Sequence, residues 1–289
     1  MNIATLLVSG LAVGALYGLI AMGFALVYKV SRVVNFAHGD VMMLIAYIAF
    51  TVAGWTNGST LLVALSVVAS AVVVGLLIER FVVRPMLGQP IFAIVMMTIA
   101  LSVLIRSVVG LIWGSFPYRF PGSELGGGWQ VAGLQLQPVQ IVLFAIYLSV
   151  CAGVFLFLRY TVVGIAMRAT AADPMVSLLM GVSVSRLYRL AWIMSAFVAG
   201  IAGVLFANIY HIGPDLTHAG IRAFPATILG GLDSILGSAL GGLIIGVVEN
   251  FAGGFIGSGW KEVSGFAVIV LVMMIRPYGL FGEEQIERV

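Results

Sequence analysis

Long apolar runs alternate with short polar breaks along this chain. A bilayer core about 30 Å thick takes roughly 20 apolar residues in helical form. Runs of that kind fall at 3–28, 37–54, 60–78, 91–113, 139–158, 188–210 and 263–281. They are continuously apolar, without the two-residue alternation that spanning strands require. A further apolar stretch, 219–252, is interrupted by Gly230, Gly231, Asp233, Gly237, Gly241 and Gly242. It predicts two short helices that meet at Gly230 to Ser234. The expected fold is all-α and polytopic, a single transmembrane domain over 1–289. It has about seven spanning helices plus a re-entrant broken helical hairpin.

Composition removes the other classes. Of 289 residues, 62% are apolar and 9% are charged, against about a quarter charged in an ordinary soluble protein. Mean hydropathy is +1.16. A soluble domain of this size cannot cover its surface from such a composition. A soluble enzyme, a nucleic-acid binder and a disordered chain are therefore excluded. The net charge of +3 is a matter of topology, because the 12 Arg and 2 Lys punctuate the apolar runs. Lys29, Arg32, Arg80, Arg84, Arg159, Arg168, Arg186, Arg189, Arg276 and Arg288 fall on one side if 219–252 enters and leaves by the same face. Arg119, Arg222 and Lys261 fall on the other, and Arg106 lies within a run. The positive-inside rule then puts the N-terminus outside and the C-terminus in the cytoplasm. The first run lacks the basic start of a cleavable signal peptide. Cys151 is the one cysteine, so neither an internal disulfide nor a cysteine-based metal site is possible.

Small residues recur at helical spacing. Gly10, Gly14 and Gly18 do so in the first run, and Gly237, Gly241, Gly242 and Gly246 in the broken stretch. Such stripes let two helix backbones approach closely. They suit packing within one subunit, a subunit interface or a pore-lining face.

Four segments carry candidate chemistry. The longest cytoplasmic loop, 159–187, runs through Gly164, Met167, Arg168 and Ala169 to Asp173-Pro174 and Gly181. Its first part is Ala-rich and helix-favouring. Asp173 then reads as an N-cap with Pro174 at the first helical position, and Gly181 as a stop. Two short angled helices are expected. Ile165, Met167, Leu178, Leu179 and Met180 form an apolar surface, either for a partner or for packing within the loop. In the second segment, Asn35 to Asp40, Asn35 reads as a helix cap and Gly39 as a point of close approach. His38 has no second His or Cys nearby, so no metal site is expected there, and a structural or gating role suits Asn35 and His38. The third is the break in 219–252, where Thr227, Gly230, Gly231 and Asp233 line or gate a path. The alternative is a packed kink capped by Asp233. The fourth, the outer loop 114–138, holds Tyr118, Arg119, Glu124 and Trp129 and reads as a landing surface or a passive lid. Charges inside spans are costly. Arg106 and Glu249 each lack another evident partner at their depth, and they are expected to pair.

The loop Gly164-Ile165-Ala166-Met167-Arg168-Ala169 with Asp173-Pro174 resembles the coupling loop of permease subunits of ATP-binding-cassette importers. Asn35-Phe36-Ala37-His38-Gly39-Asp40, Ile228-Leu229-Gly230-Gly231 and Arg276-Pro277-Tyr278-Gly279-Leu280-Phe281-Gly282 resemble further hallmarks of the branched-chain amino acid permeases, nearest the H-type subunit of the leucine–isoleucine–valine system. Related urea permeases usually carry Met at the place of Phe36 and Glu at that of Asp40, so this chain departs toward the amino acid branch. The resemblance covers nearly the whole chain, in order.

What it implies is a permease moving branched-chain or other hydrophobic amino acids across the inner membrane, without an ATPase or cofactor of its own. Urea, short amides and aromatic acids are the alternative substrates. The residues agree on the ATPase, since neither Lys29 nor Lys261 follows a Gly and no nucleotide-binding Gly-Lys-Ser/Thr occurs. The implied partners are two cytoplasmic nucleotide-binding subunits holding ATP and Mg, a similar or identical second permease, a periplasmic or extracellular substrate-binding protein, and membrane lipid. Gly164, Met167, Arg168, Ala169, Asp173, Pro174 and Gly181 would form the docking element, with Arg168 pairing to an acidic residue on the ATPase subunit. A passive channel needs no docking helices. An intramembrane enzyme needs paired catalytic groups, and no Ser/His, His/Glu or twin-Asp arrangement stands at a useful spacing.

Overall fold

The computed structural model describes residues 3–86, 88–121, 129–131 and 134–282. In chain order the helices are α1 (Ile3–Ser31), α2 (His38–Trp55), α3 (Thr60–Ile78), α4 (Arg84–Met86), α5 (Ile91–Trp113), α6 (Pro138–Tyr160), α7 (Val162–Ala172), α8 (Pro174–Leu179), α9 (Val184–Ile209), α10 (Leu216–Gly230), α11 (Ile235–Phe255) and α12 (Trp260–Ile275). A π-helical turn, Glu79–Val83, joins α3 to α4. The outer loop adds a short antiparallel hairpin of β1 (Trp129–Val131) and β2 (Leu134–Leu136), which apolar periodicity does not announce.

Seven helices among the described residues are long and apolar enough to cross a bilayer: α1, α2, α3 with its extension to Met86, α5, α6, α9 and α11. Six coincide with predicted runs. The seventh is the second arm of the broken hairpin. At 21 residues it is about 31 Å long, a full bilayer core. The predicted last run, 263–281, is shifted: α12 occupies Trp260–Ile275, 16 residues. It stops there because Pro277 disfavours helix at the residue before it and offers no N–H.

The chain divides into two compact units. One comprises Met1–Ala25, Gly126–Cys151 and Arg222–Val289. Its axis is α11, against which α1 lies with the two backbones touching. A Cβ on Gly242 would stand 2.1 Å from the Gly18 nitrogen, and one on Gly246 2.3 Å from the Gly14 Cα. The two glycine stripes face each other, so the packing reading of these residues holds within one chain. The Tyr147 hydroxyl donates to the Ala239 carbonyl at 3.0 Å and Asn250 Nδ2 to the Leu6 carbonyl at 2.5 Å. The hairpin breaks at 231–234. Gly231 takes φ +101°, a left-handed conformation costly for any residue with a Cβ. Ser234 caps α11 by accepting from the Gly237 N–H at 3.1 Å, so the cap is Ser234 where Asp233 was the alternative expectation. The tip is closed by the segment after α12: Leu280 N–H donates to the Leu229 carbonyl at 2.8 Å and Phe281 N–H to that of Gly230 at 3.2 Å. Because α11 alone spans a bilayer core, this break lies a full helix length from Phe255, not at half depth.

The other unit comprises Leu26–Leu125 and Ala152–Ile221. Here α2, α3 and α9 pack through small residues. A Cβ on Gly203 would stand 2.7 Å from the Met42 carbonyl, and one on Gly75 2.7 Å from the Ile193 Cα. The π turn at the end of α3 turns Glu79 inward. Its side chain is 3% exposed, and Arg84 and Arg189 each reach a different carboxylate oxygen at 3.3 Å. Arg84 also donates to Ser185 Oγ at 2.7 Å. Two residues expected to be topology charges thus tie α4 and the start of α9 to one buried carboxylate.

Two outcomes are expected. Gly242→Leu cannot be accommodated against the Gly18 backbone, and overpacking of this kind costs about 1–3 kcal/mol or more. It lowers the melting temperature of the detergent-solubilised protein, whereas Gly153→Leu, at a position with open space, does not. Glu79→Ala strands Arg84 and Arg189 without their acceptor. Both are partly solvated, so the loss is about 1–3 kcal/mol, read in the same melting assay and reduced when Arg189→Gln is added.

Candidate functional site

The loop between α6 and α9 folds as the sequence predicts, and each turn has a local cause. Thr161 ends α6 and opens α7. Its Oγ1 donates to the Phe157 carbonyl at 2.6 Å and accepts from the Gly164 N–H at 3.0 Å. A Cβ on Gly164 would stand 2.4 Å from the Phe157 carbonyl oxygen, so only glycine lets α7 fold back this tightly. Asp173 Oδ1 accepts from Met175 N–H at 2.8 Å and Val176 N–H at 3.0 Å, with Pro174 at the first helical position. Gly181 ends the element with φ +81°.

The two short helices divide the work. α7 is the anchor. Met167, 1% exposed, sits in a core with Val30, Leu187 and Ala191. This corrects the expectation that Met167 belongs to an outward apolar surface: its side chain follows the inner face of α7, together with Gly164 and Thr170. Arg32 donates to the Ala171 carbonyl at 3.4 Å, a cation at a helix C-terminus where the macrodipole favours it. α8 is the presented element. Met175, Leu179 and Met180 are 67%, 80% and 80% exposed, while Ser177 is buried beneath them. Arg168 and Ala169 are exposed on α7, and Arg168 donates one bond to the Arg159 carbonyl at 3.4 Å. Six apolar or cationic side chains, Val162, Ile165, Arg168, Met175, Leu179 and Met180, thus stand outward on a rigid, capped support.

The residues expected to line or gate a path fall into separate places. Thr227 is fully buried, its hydroxyl 3.4 Å from the Ala223 carbonyl. A Cβ on Gly230 would stand 2.1 Å from the Gly237 carbonyl oxygen, and one on Gly231 2.6 Å from the Gly282 nitrogen. Asp233 Oδ1 lies against Gly282. These four belong to the packed tip of the hairpin. In the other unit, Asn35 is not the N-cap of α2. Its Oδ1 accepts from the Ala37 N–H at 3.1 Å in the turn before it, and Ala37 caps without a side chain. His38 is buried, with Nδ1 3.4 Å from Ser195 Oγ. Among the described residues no three His, Cys, Asp or Glu side chains converge on a possible metal position. In the outer loop, Tyr118 pairs by backbone with Ile212 at 2.8 and 2.9 Å. Glu124 lies outside the described residues.

The most polar cluster inside a span is one that sequence reasoning missed. Asp40 on α2 is 0% exposed. Ser102 Oγ donates to its Oδ2 at 2.5 Å, Thr217 Oγ1 to Oδ1 at 2.9 Å, and Arg106 Nε to Oδ1 at 3.3 Å. A buried carboxylate with three donors from α5 and α10 is fully met, as a low-dielectric site demands. The backbones of Gly39 and Gly220 touch beside it, a Cβ on Gly220 falling 2.6 Å from the Gly39 Cα. Arg106 therefore pairs with Asp40, which overturns its expected partnership with Glu249. Glu249 instead accepts from Tyr17 and lies against Gly265, near the Arg222–Glu262 ion pair. The missed signal was the spacing of Ser102 and Arg106. Four apart on a helix, they put a hydroxyl and a guanidinium on one face of an otherwise apolar run.

Known proteins are similar to this chain over nearly its whole length. A solved complex, PsaBC from Streptococcus pneumoniae bound to a Fab, matches with a TM-score of 0.51 over 96% of this chain and 93% of that one, at 11% identity. That is a likeness of fold alone. The high-affinity branched-chain amino acid transport system permease protein BraD of Pseudomonas aeruginosa is 35% identical over 98% of this chain and 97% of its own length. The LivH protein of Escherichia coli K12, of the same description, is 32% identical over 97% and 96%. A probable branched-chain amino acid transport permease, LivH of Methanocaldococcus jannaschii, is 28% identical over 91% and 88%. A family model described as the branched-chain amino acid transport system permease component matches residues 6–275, and the chain belongs to that family.

Proposed function

We propose that this chain is the membrane subunit through which an ATP-driven importer moves branched-chain amino acids. It is a multi-pass protein of the bacterial inner membrane and a permease subunit of an ATP-binding-cassette importer. In the proposed complex, two cytoplasmic nucleotide-binding subunits hold ATP and Mg, a second permease, similar or identical, completes the path, and a binding protein delivers substrate from outside. The permease itself contributes no covalent chemistry and no cofactor.

The observation that carries this reading is the α7–α8 element. A six-residue helix whose Met175 and Leu179, with Met180 at its C-cap, are 67–80% exposed gains nothing by standing in water, where burying each such side chain is worth about 1.5–3 kcal/mol. Set into a groove on an ATPase subunit, Met175, Leu179 and Met180 would be buried, with Arg168 beside them for an acidic partner. Gly164, Ala169, Asp173, Pro174 and Gly181 would set the angle at which α8 is offered. α7 is anchored by Met167 to α9 and to Val30, so a displacement of α8 would be passed into the spanning helices. ATP can shift the bundle only through such differential contact with its conformations. Asn35, His38, Thr227, Gly230, Gly231 and Asp233 are proposed as hinge and gate positions.

The experiment is uptake of labelled leucine into proteoliposomes holding the whole complex, with binding protein outside and ATP within. Leucine enters only with ATP. Leu179→Glu with Met180→Glu loses capture of the nucleotide-binding subunits and at least about nine-tenths of uptake, while the permease itself stays folded. Uptake that needs no ATP and survives this change is a channel's. ATP-driven entry of urea or a short amide, without leucine, reassigns the substrate and leaves the machine intact.

A further inference from the structure

Arg106 stands where a lipid-facing arginine is hardest to explain. It lies 15 residues beyond Ile91 at the start of α5, and its partner Asp40 lies 15 residues before Trp55 at the end of α2. The two helices run side by side in the same direction, as the Phe36–Thr98, Asp40–Arg106 and Thr51–Trp113 contacts show. The ion pair is therefore about 22 Å along α5 from its start and about 10 Å from its end at Trp113, inside the span. The Arg106 side chain is nonetheless 47% exposed. Inserting arginine at the centre of a span costs about 2.5–3.5 kcal/mol on insertion scales, usually relieved by reaching for the membrane surface. Arg106 cannot reach away, because Nε is held on Asp40. Around it the face is not wholly apolar: Ser107 is exposed beside it and Gly110, one turn on, has open space above its Cα.

We infer that this face of α5 lines the translocation path and that Arg106 receives the α-carboxylate of the passing amino acid, a role that rests on the importer function proposed above. Nε is spent on Asp40. Among the described residues no hydrogen bond falls on the two terminal nitrogens, and these are the pair that grips a carboxylate in bidentate fashion. Asp40 is a positioning residue. Its Oδ1 is shared by Arg106 and Thr217 and its Oδ2 is taken by Ser102, so it fixes the guanidinium and does not itself meet the substrate. The sharing also weakens the grip. A guanidinium already half neutralised by Asp40 binds a second carboxylate loosely, and a passage site must release what it binds.

The test uses the reconstituted complex. Removing Arg106 alone would leave Asp40 buried and unpaired, so the pair is removed together. Asp40→Asn with Arg106→Gln assembles, keeps its binding-protein-stimulated ATP hydrolysis, and at saturating loaded binding protein loses at least about tenfold in leucine uptake. Wild-type uptake in that variant overturns the inference. In a Cys151→Ala chain carrying Asp40→Asn and Arg106→Cys, a methanethiosulfonate bearing an ammonium group restores uptake and a neutral one does not. Restoration by both, or no modification in any nucleotide state relative to the Cys151→Ala complex, also overturns it. Should the double variant fail to assemble, the cysteine chain decides; should that fail as well, Arg106→Lys, which keeps the ion pair and loses the fork, decides, unchanged uptake again being fatal. If wild-type complex imports no leucine at all, it is the importer reading that fails.

Discussion

A bilayer offers no water to a bare donor or acceptor, and that constraint orders this protein. Each polar group within a span has to be met by another part of the chain or by a wet cavity. Asp40 meets it with three donors drawn from two other helices. Glu79 meets it with two arginines that also fasten the first turns of α4 and α9. At the hairpin tip, the carbonyls freed where α10 stops are taken up by the N–H groups of Leu280 and Phe281. The buried polar positions are consequently the joints of the fold, while the apolar residues between them serve largely to keep it in lipid.

The same constraint explains the two ways helices meet here. Between apolar helices in lipid there is little hydrophobic gain, so close van der Waals contact must supply the attraction. Gly14, Gly18, Gly242 and Gly246 bring α1 and α11 together at backbone distance, and Gly75 and Gly203 do the same for α9 with α3 and α2. By contrast α5 buries only Thr98, Ile105 and Val109. A helix so thinly covered, yet carrying a charge within its span, is the one that most needs something beyond this chain.

Much of this was readable in the order of residues. Apolar run length gave six of the seven long helices, and the glycine breaks gave the hairpin with its turn at 231–234. Asp173-Pro174 and Gly181 gave the paired helices of the cytoplasmic loop, because caps and turns are written in neighbouring residues. What escaped was set by distance along the chain. Asp40 and Thr217 are 177 positions apart, and no local pattern joins them. Met167 looked outward because a helical stripe shows which side chains share a face, but not which way that face turns. The length of α11 was hidden by its own glycines, which read as breaks but serve as contact points.

The backbone bonds from Leu280 and Phe281 to the hairpin tip bear on how the molecule is made. Residues 229 and 230 leave the ribosome some fifty positions ahead of the partners that satisfy them. Through that interval the two tip carbonyls lack their partners from the chain and, at the end of a helix long enough to span the bilayer core, are left to water. The closing turn thus acts as a clasp fastened late in synthesis, and the timing of its arrival decides when the bundle becomes a finished object.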